Sequence, residues 1–157
     1  RSLRSHADTH FVWLGGRGDY PAARAARADV EAAGIGDRVH FLAHQDHPRD
    51  WFRLFDVFFL PAREDAYPLV CLEAASVGLP VVCFTSGGAT EFVRDDAGIV
   101  VPYPDLDAAA DALSALRSAP EWRRRLGAVG RRRVVDEHAV SAIAPRLVAE
   151  IEAVASA

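Results

Sequence analysis

The chain has 157 residues, 50% of them hydrophobic, with a net charge of −4 and a pI near 5.8. That length and apolar content suit one packed domain and leave no room for a second. The acidic balance excludes a global attraction to nucleic acid or anionic lipid, so an anionic ligand must be held by a local site.

Arg1 to Thr9, with His10, reads as a residual helix end or a disordered lead-in, and a single domain is expected over residues 11–157. A strand is expected at Phe11 to Gly15, a helix at Ala22 to Ala33, a strand at Val39 to Ala43, a short helix at Arg49 to Phe55 and a strand at Val57 to Pro61. A helix follows from Pro68 to Val77, since proline suits a first helical position and Gly78 suits the end. Next come a strand at Pro80 to Phe84, a short helix at Ala89 to Val93, a strand at Gly98 to Val101, and helices starting at Leu106, Glu121 and Val140. This alternation with short loops predicts an α/β fold: a Rossmann-like parallel sheet with helices on both faces. No apolar run of about 18 residues and no signal-peptide pattern is visible.

The loop GGRGDYP, Gly15 to Pro21, fails as a dinucleotide fingerprint because Pro21 stands where a third glycine is required. It is either a plain turn or a ligand-facing loop, in which Gly16 permits close approach and Arg17 reaches a phosphate. His40, His44 and His47, with Asp46 between, invite a metal reading. The strand position of His40 and the absence of an HExxH arrangement argue against it. Every basic residue is arginine, so neither a phosphate-loop lysine nor a Schiff base is available. Cys71 and Cys83 have neither zinc-knuckle nor redox spacing and read as reduced core residues of a cytosolic protein. The absence of methionine leads us to expect a piece of a longer chain.

The segment from Leu60 to Glu91 carries the chemistry. Glu73 projects from a largely apolar helical stripe, and a buried carboxylate left unpaired costs several kcal/mol. It must meet either an internal partner or a ligand hydroxyl. Asp65 lies in the loop before that helix, as a solvated or near-cap carboxylate or as a ligand contact. The amides of Leu69 and Val70, freed at the helix start, make a ready phosphate site. Gly87 and Gly88 allow a sugar or phosphate to approach the backbone, and Glu91 either compensates a helix dipole or faces the ligand. Further on, arginines at 123–125 and 131–133 read as a solvent face opposite Trp122, Leu126, Val129 and Val134, against nucleic-acid or membrane-surface alternatives. The last helix spaces Val140, Ile143, Ala144, Leu147, Val148, Ile151 and Val154 as one stripe.

In these residues the chain resembles the retaining glycosyltransferases of family 4, whose GT-B fold pairs two Rossmann-like domains. Members carry an E-x7-E pattern, a helix of the type LEAMAxGxPVV and a GGxxE element. Here these read D-x7-E from Asp65 to Glu73, LEAASVGLPVV and GGATE. The likeness runs from about Phe11 onward and is to the carboxyl-terminal, donor-binding half.

The resemblance implies the donor-binding domain of an enzyme that moves a hexosyl group from a nucleoside diphosphate sugar to a sugar or lipid acceptor. It implies catalytic and binding roles for Asp65 at the donor sugar hydroxyls and Glu73 at the ribose, with the amides near Leu69 and Val70 on the diphosphate. Tyr67, Pro68, Gly87, Gly88, Glu91, Gly16 and Arg17 are further donor-binding positions, and His44 and Gln45 are neighbours of the base. Asp65 departs from the commoner glutamate, and Glu64 precedes it, which shortens the reach or shifts the register by one. No cofactor and no metal are expected, and no nucleic acid partner. An amino-terminal acceptor domain and a first strand-helix unit are expected upstream. That strand is central in the order 3-2-1-4-5-6, so the five strands here should not form one continuous sheet. The whole enzyme is expected in the cytoplasm, with peripheral association at the inner face of the membrane allowed, and the terminal stripe partly exposed. The chain alone is expected to bind diphosphates weakly and transfer nothing. The alternative is a non-catalytic nucleotide-binding or protein-interaction module of the same fold. A methyltransferase or dehydrogenase reading rests on the GGRGD loop alone.

Overall fold

The computed structural model describes residues 6–15, 20–94 and 96–156, and the chain divides into two compact units, Arg1–Asp50 and Trp51–Ala157. In the first unit, strands β1 (Phe11–Leu14) and β2 (Val39–Leu42) pair in parallel, with Phe11 opposite Val39 and Leu14 opposite Leu42. Helix α1 (Pro21–Ala32) makes the crossover; Pro21 stands at its start, where no backbone donor is lost. Trp13 packs on Phe41 at 5.8 Å between ring centroids, and the Arg27 guanidinium lies 4.4 Å over the Phe41 ring. Among the described residues of this unit, Ala23 is the one buried apolar side chain.

Helix α2 (Pro48–Phe52) carries the chain into the second unit. It closes earlier than the expected Phe55, because the amides of Leu54 and Phe55 turn back to the carbonyls of Trp51 and Phe52. Strands β3 (Phe58–Leu60), β4 (Val81–Phe84) and β5 (Gly98–Val101) then form a parallel sheet in that order. Helices α3 (Leu69–Ser76) and α4 (Ala89–Val93) connect them, and α5 (Leu106–Ser118) and α6 (Pro120–Arg133) follow. The backbone of α6 then widens into a π-type turn at Val134–His138 before α7 (Val140–Ala155).

Successive strand residues face opposite sides, and the core divides accordingly. Val81 and Cys83 point with Phe58, Leu60 and Val100 toward Cys71, Ala75, Phe92 and Val93 of α3 and α4. Val82 and Phe84 point with Phe59, Ile99 and Val101 toward Ala109, Ala112 and Leu116 of α5 and Leu126 of α6. Helices therefore cover both faces, as the alternation predicts. Asp105 caps α5 by accepting from the Ala108 amide at 2.8 Å, a contact worth about 1 kcal/mol.

Among the described residues β1 pairs only with β2, and β3 only with β4, so the five strands do not form one hydrogen-bonded sheet. The stripe on α7 is exposed along its length, at Val140, Ile143, Leu147, Val148, Ile151 and Val154. No helix of the described residues is long and apolar enough to cross a membrane.

Candidate functional site

Proline 68 has φ −72° and ψ 102°, extended backbone that places it just outside α3 as the cap rather than at the first helical position. The fixed ring angle suits either place, and ψ decides. The Cys71 amide turns back to the Pro68 carbonyl at 3.0 Å, while the amides of Leu69 and Val70 find no backbone acceptor among the described residues. Leu69 is exposed, so these donors open to solvent at the positive end of the helix dipole. At the other end Gly78, with φ +91°, completes a Schellman turn: its amide reaches the Ala75 carbonyl and the Leu79 amide that of Ala74.

Glu73 is half-buried on α3, between Cys71 and the Ala74–Ala75 pair that face the core. Its carboxylate has neither an ion pair nor a hydrogen bond among the described residues. Of the two options left by the sequence, the internal partner is not found. A half-buried carboxylate that no described residue satisfies is one a ligand can satisfy.

The glycine pair has a structural explanation that sequence reasoning did not supply. The Gly88 amide donates to the Asp65 carbonyl at 2.9 Å, and the Ser86 hydroxyl donates to the Ala62 carbonyl at 3.1 Å. A Cβ on Gly88 would lie 1.9 Å from the Ala66 carbonyl oxygen, and one on Gly87 2.5 Å from that of Asp65. Gly87 also has φ +101°, where side chains are strained. Both positions therefore require glycine in order to seat the 62–66 main chain against the start of α4. The Asp65 side chain remains exposed. Glu91 is exposed in the first turn of α4. Tyr67 is close to it: burial, and after it the Glu91 charge, raises the phenol above its usual range.

Asp65, Tyr67, Gly87, Gly88 and Glu91 thus come together around one loop-to-helix contact, and Pro68, Leu69, Val70 and Glu73 follow on the next turns of chain. His44 and Gln45 belong to the first unit, in the loop after β2. His44 is exposed with its Nε2 4.0 Å from Asp46, and the Gln45 amide donates to the Ala43 carbonyl at 3.1 Å. Gly16 and Arg17 lie outside the described residues.

One residue of the arginine-rich helix departs from the expected solvent face. Arg133 is only 8% exposed and turns inward. Its Nη1 donates to the carbonyls of Phe92 at 2.6 Å and Val93 at 3.2 Å, and its Nη2 pairs with Asp96. The signal was available, because Leu126, Gly130 and Arg133 recur on one helical stripe, and the first two are buried. Arg123 is also engaged, with Asp56 at 2.8 Å and the Leu116 carbonyl at 2.9 Å. His138, in the π-type turn, sets its Nε2 3.4 Å from the Tyr67 hydroxyl and its ring edge-on to Phe92 at 5.7 Å. Burial lowers its pKa below the ordinary histidine value. The buried thiols are held protonated by the same cause, Cys71 pushed up to about 12 and Cys83 to about 11, which makes them poor nucleophiles at neutral pH.

The profile of a family described as "Glycosyl transferases group 1" matches residues 1–118. A D-inositol 3-phosphate glycosyltransferase of Xylanimonas cellulosilytica is 37% identical over 130 residues, 79% of this chain and 31% of that protein. Sucrose-phosphate synthase from Thermosynechococcus elongatus superposes with a TM-score of 0.89 at 27% identity, over 99% of this chain and 41% of that one. HepE of Anabaena, solved in complex with UDP, superposes with a TM-score of 0.87 at 16% identity, over 92% of this chain and 41% of its own, a likeness of fold. The chain spans about a quarter to a third of the length of the curated relatives it matches.

Proposed function

Since this chain belongs to the group 1 glycosyl transferases and has the carboxyl-terminal GT-B architecture, we propose that it is the donor-binding domain of a retaining, family 4 enzyme. In this reading the whole protein moves a hexosyl group from a nucleoside diphosphate sugar to a sugar or lipid acceptor. Residues 11–157 act as one donor-binding domain, with the acceptor domain and a first strand-helix unit upstream.

The observation that carries the reading is on α3: a half-buried carboxylate, Glu73, without a partner among the described residues, one turn from two amides at the same helix start that find no backbone acceptor among them. A ribose offers hydroxyl donors to the first, and a diphosphate offers oxygens to the second. Asp65 and Glu91 then stand on the loop and helix that Gly87 and Gly88 hold together, where sugar hydroxyls need acceptors. Tyr67 and Pro68 border the same place. His44 and Gln45 are assigned to the base, and Gly16 and Arg17 to the phosphates. When the bond from the anomeric carbon to the diphosphate breaks, negative charge gathers on the departing oxygens. Fixed amides and a helix dipole stabilise it without reorganising. The reading invokes no metal. HepE, of the same fold, is a UDP complex, which supports a nucleoside diphosphate as ligand.

Titration calorimetry with UDP, GDP and ADP tests it. One of the three should bind wild type, and Glu73→Ala should weaken that binding by about tenfold or more. Failure of wild type to bind any of them sinks the reading and favours a non-catalytic interaction module. The chain by itself should transfer no sugar.

A further inference from the structure

The end of α6 and the π-type turn that follows it hold two side chains, Arg133 and His138, against the back of the donor-side elements. The carbonyls of Phe92 and Val93 close α4, where a helix end leaves acceptors outside its own ladder; that of Val93 also accepts from the Ala97 amide at 3.1 Å. Arg133 supplies their donor from α6, and its positive charge lies at the negative end of the helix dipole. Helix α4 has only five residues, too few to persist by itself. Its far end carries Gly88, whose amide fixes the Asp65 carbonyl, and its first turn carries Glu91.

His138 makes the second contact. Widening the backbone to π geometry brings residues five apart onto one face, so that Arg133 and His138 both meet Phe92. The His138 ring also reaches the Tyr67 hydroxyl in the loop that carries Asp65. Glu137, between them, pairs with Arg94 at 2.9 Å just beyond α4. This junction therefore grips both pieces of the contact that presents Asp65, Tyr67 and Glu91; Val134 packs with Cys71 and Ala75 on the core side of α3, while the Arg133 and His138 side chains meet Phe92, Val93, Asp96 and Tyr67.

We propose that Arg133 and His138 are positioning residues for the sugar half of the donor. They hold α4 and the Tyr67 loop in register, so that Asp65 and Glu91 meet the sugar, while the diphosphate and ribose stay with α3. The inference rests on the donor-site reading above.

The test compares wild type with Arg133→Lys, Arg133→Met and His138→Gln. Calorimetry measures affinity for UDP, GDP and ADP and for UDP-glucose, GDP-mannose and ADP-glucose. Arg133→Met should cut the affinity for the bound nucleotide sugar by about tenfold while leaving its bare diphosphate within about twofold. Arg133→Lys, a point donor that cannot bridge both carbonyls and Asp96, should recover only part of the loss. His138→Gln, at a half-buried position, should move the same ratio in the same direction. Amide exchange should accelerate across residues 88–94 and stay unchanged in β4 and β5.

Equal weakening toward sugar and bare diphosphate would show a merely structural role and overturn the proposal. So would a wild-type ratio in Arg133→Met and His138→Gln. If wild type binds none of the six compounds, the donor-site reading itself falls, and this inference falls with it.

Discussion

The amide of Gly88 donates to the carbonyl oxygen of Asp65 at 2.9 Å, and a Cβ at position 88 would lie 1.9 Å from the carbonyl oxygen of Ala66. The two chain segments that bear candidate ligands are therefore joined main chain to main chain. Because the obstructing atom is backbone, it cannot swing aside as a side chain tip would. Gly88→Ala should cost about 2–3 kcal/mol in urea unfolding, in the range of overpacked sites, and should weaken nucleotide-sugar binding. A Gly88→Ala variant as stable as wild type would refute the contact.

Glu73 gives the opposite expectation for stability. A half-buried carboxylate on an apolar face, with no partner among the described residues, contributes nothing to the fold that leucine would not improve. Glu73→Leu should be neutral or up to about 1 kcal/mol more stable, and should lose diphosphate binding. Urea unfolding and calorimetry on the same preparation check both halves. A loss of more than about 2 kcal/mol would mean that Glu73 has an internal partner after all.

The lowered pKa of His138 sets a sign for acid stability. Burial is the leading cause, with Arg94 and Arg133 acting the same way and Glu137 opposing. The unfolded chain titrates near the ordinary histidine value of 6.5, so below that pH it binds a proton that the folded chain resists. The stabilising difference is present above 6.5 and is lost as pH falls from there through the lower folded value. Unfolding midpoints measured across that range should fall with acidity, and His138→Gln should flatten the fall. An unchanged slope in the variant would assign the acid sensitivity elsewhere.

Cys71 and Cys83 are each 1% exposed and strongly held in the thiol form. Neither should react with a disulfide-exchange reagent in the folded chain at neutral pH, and both should react in denaturant. Rapid labelling of folded protein at either position would contradict the packing of α3 on β4.

Much of the second unit was legible because its signals are local. Alternating apolar runs marked β3 to β5, and the limits of α4 and β5 agree with the sequence to the residue. Gly78 announced the end of α3 through a conformation few other residues adopt. What escaped depends on atoms distant in the chain. Gly87 and Gly88 look like room for a ligand until the backbone of Asp65 and Ala66 is placed against them. Arg133 looks like one more solvated arginine in a run, because charge type masks a position that helical periodicity assigns to the core. The π-type turn has no sequence signature, since one residue of widening costs little and follows from what it packs against.

The main-chain seat of Asp65 bears on the residue type found there. Position 65 is anchored by its carbonyl oxygen, which every amino acid possesses, and not by its carboxylate. Exchange of aspartate for glutamate therefore leaves the loop where it is and lengthens only the arm that extends from it. Architecture and chemistry are separable at this position. One backbone frame can accept either acid, and the reach of the side chain can change without rebuilding the scaffold.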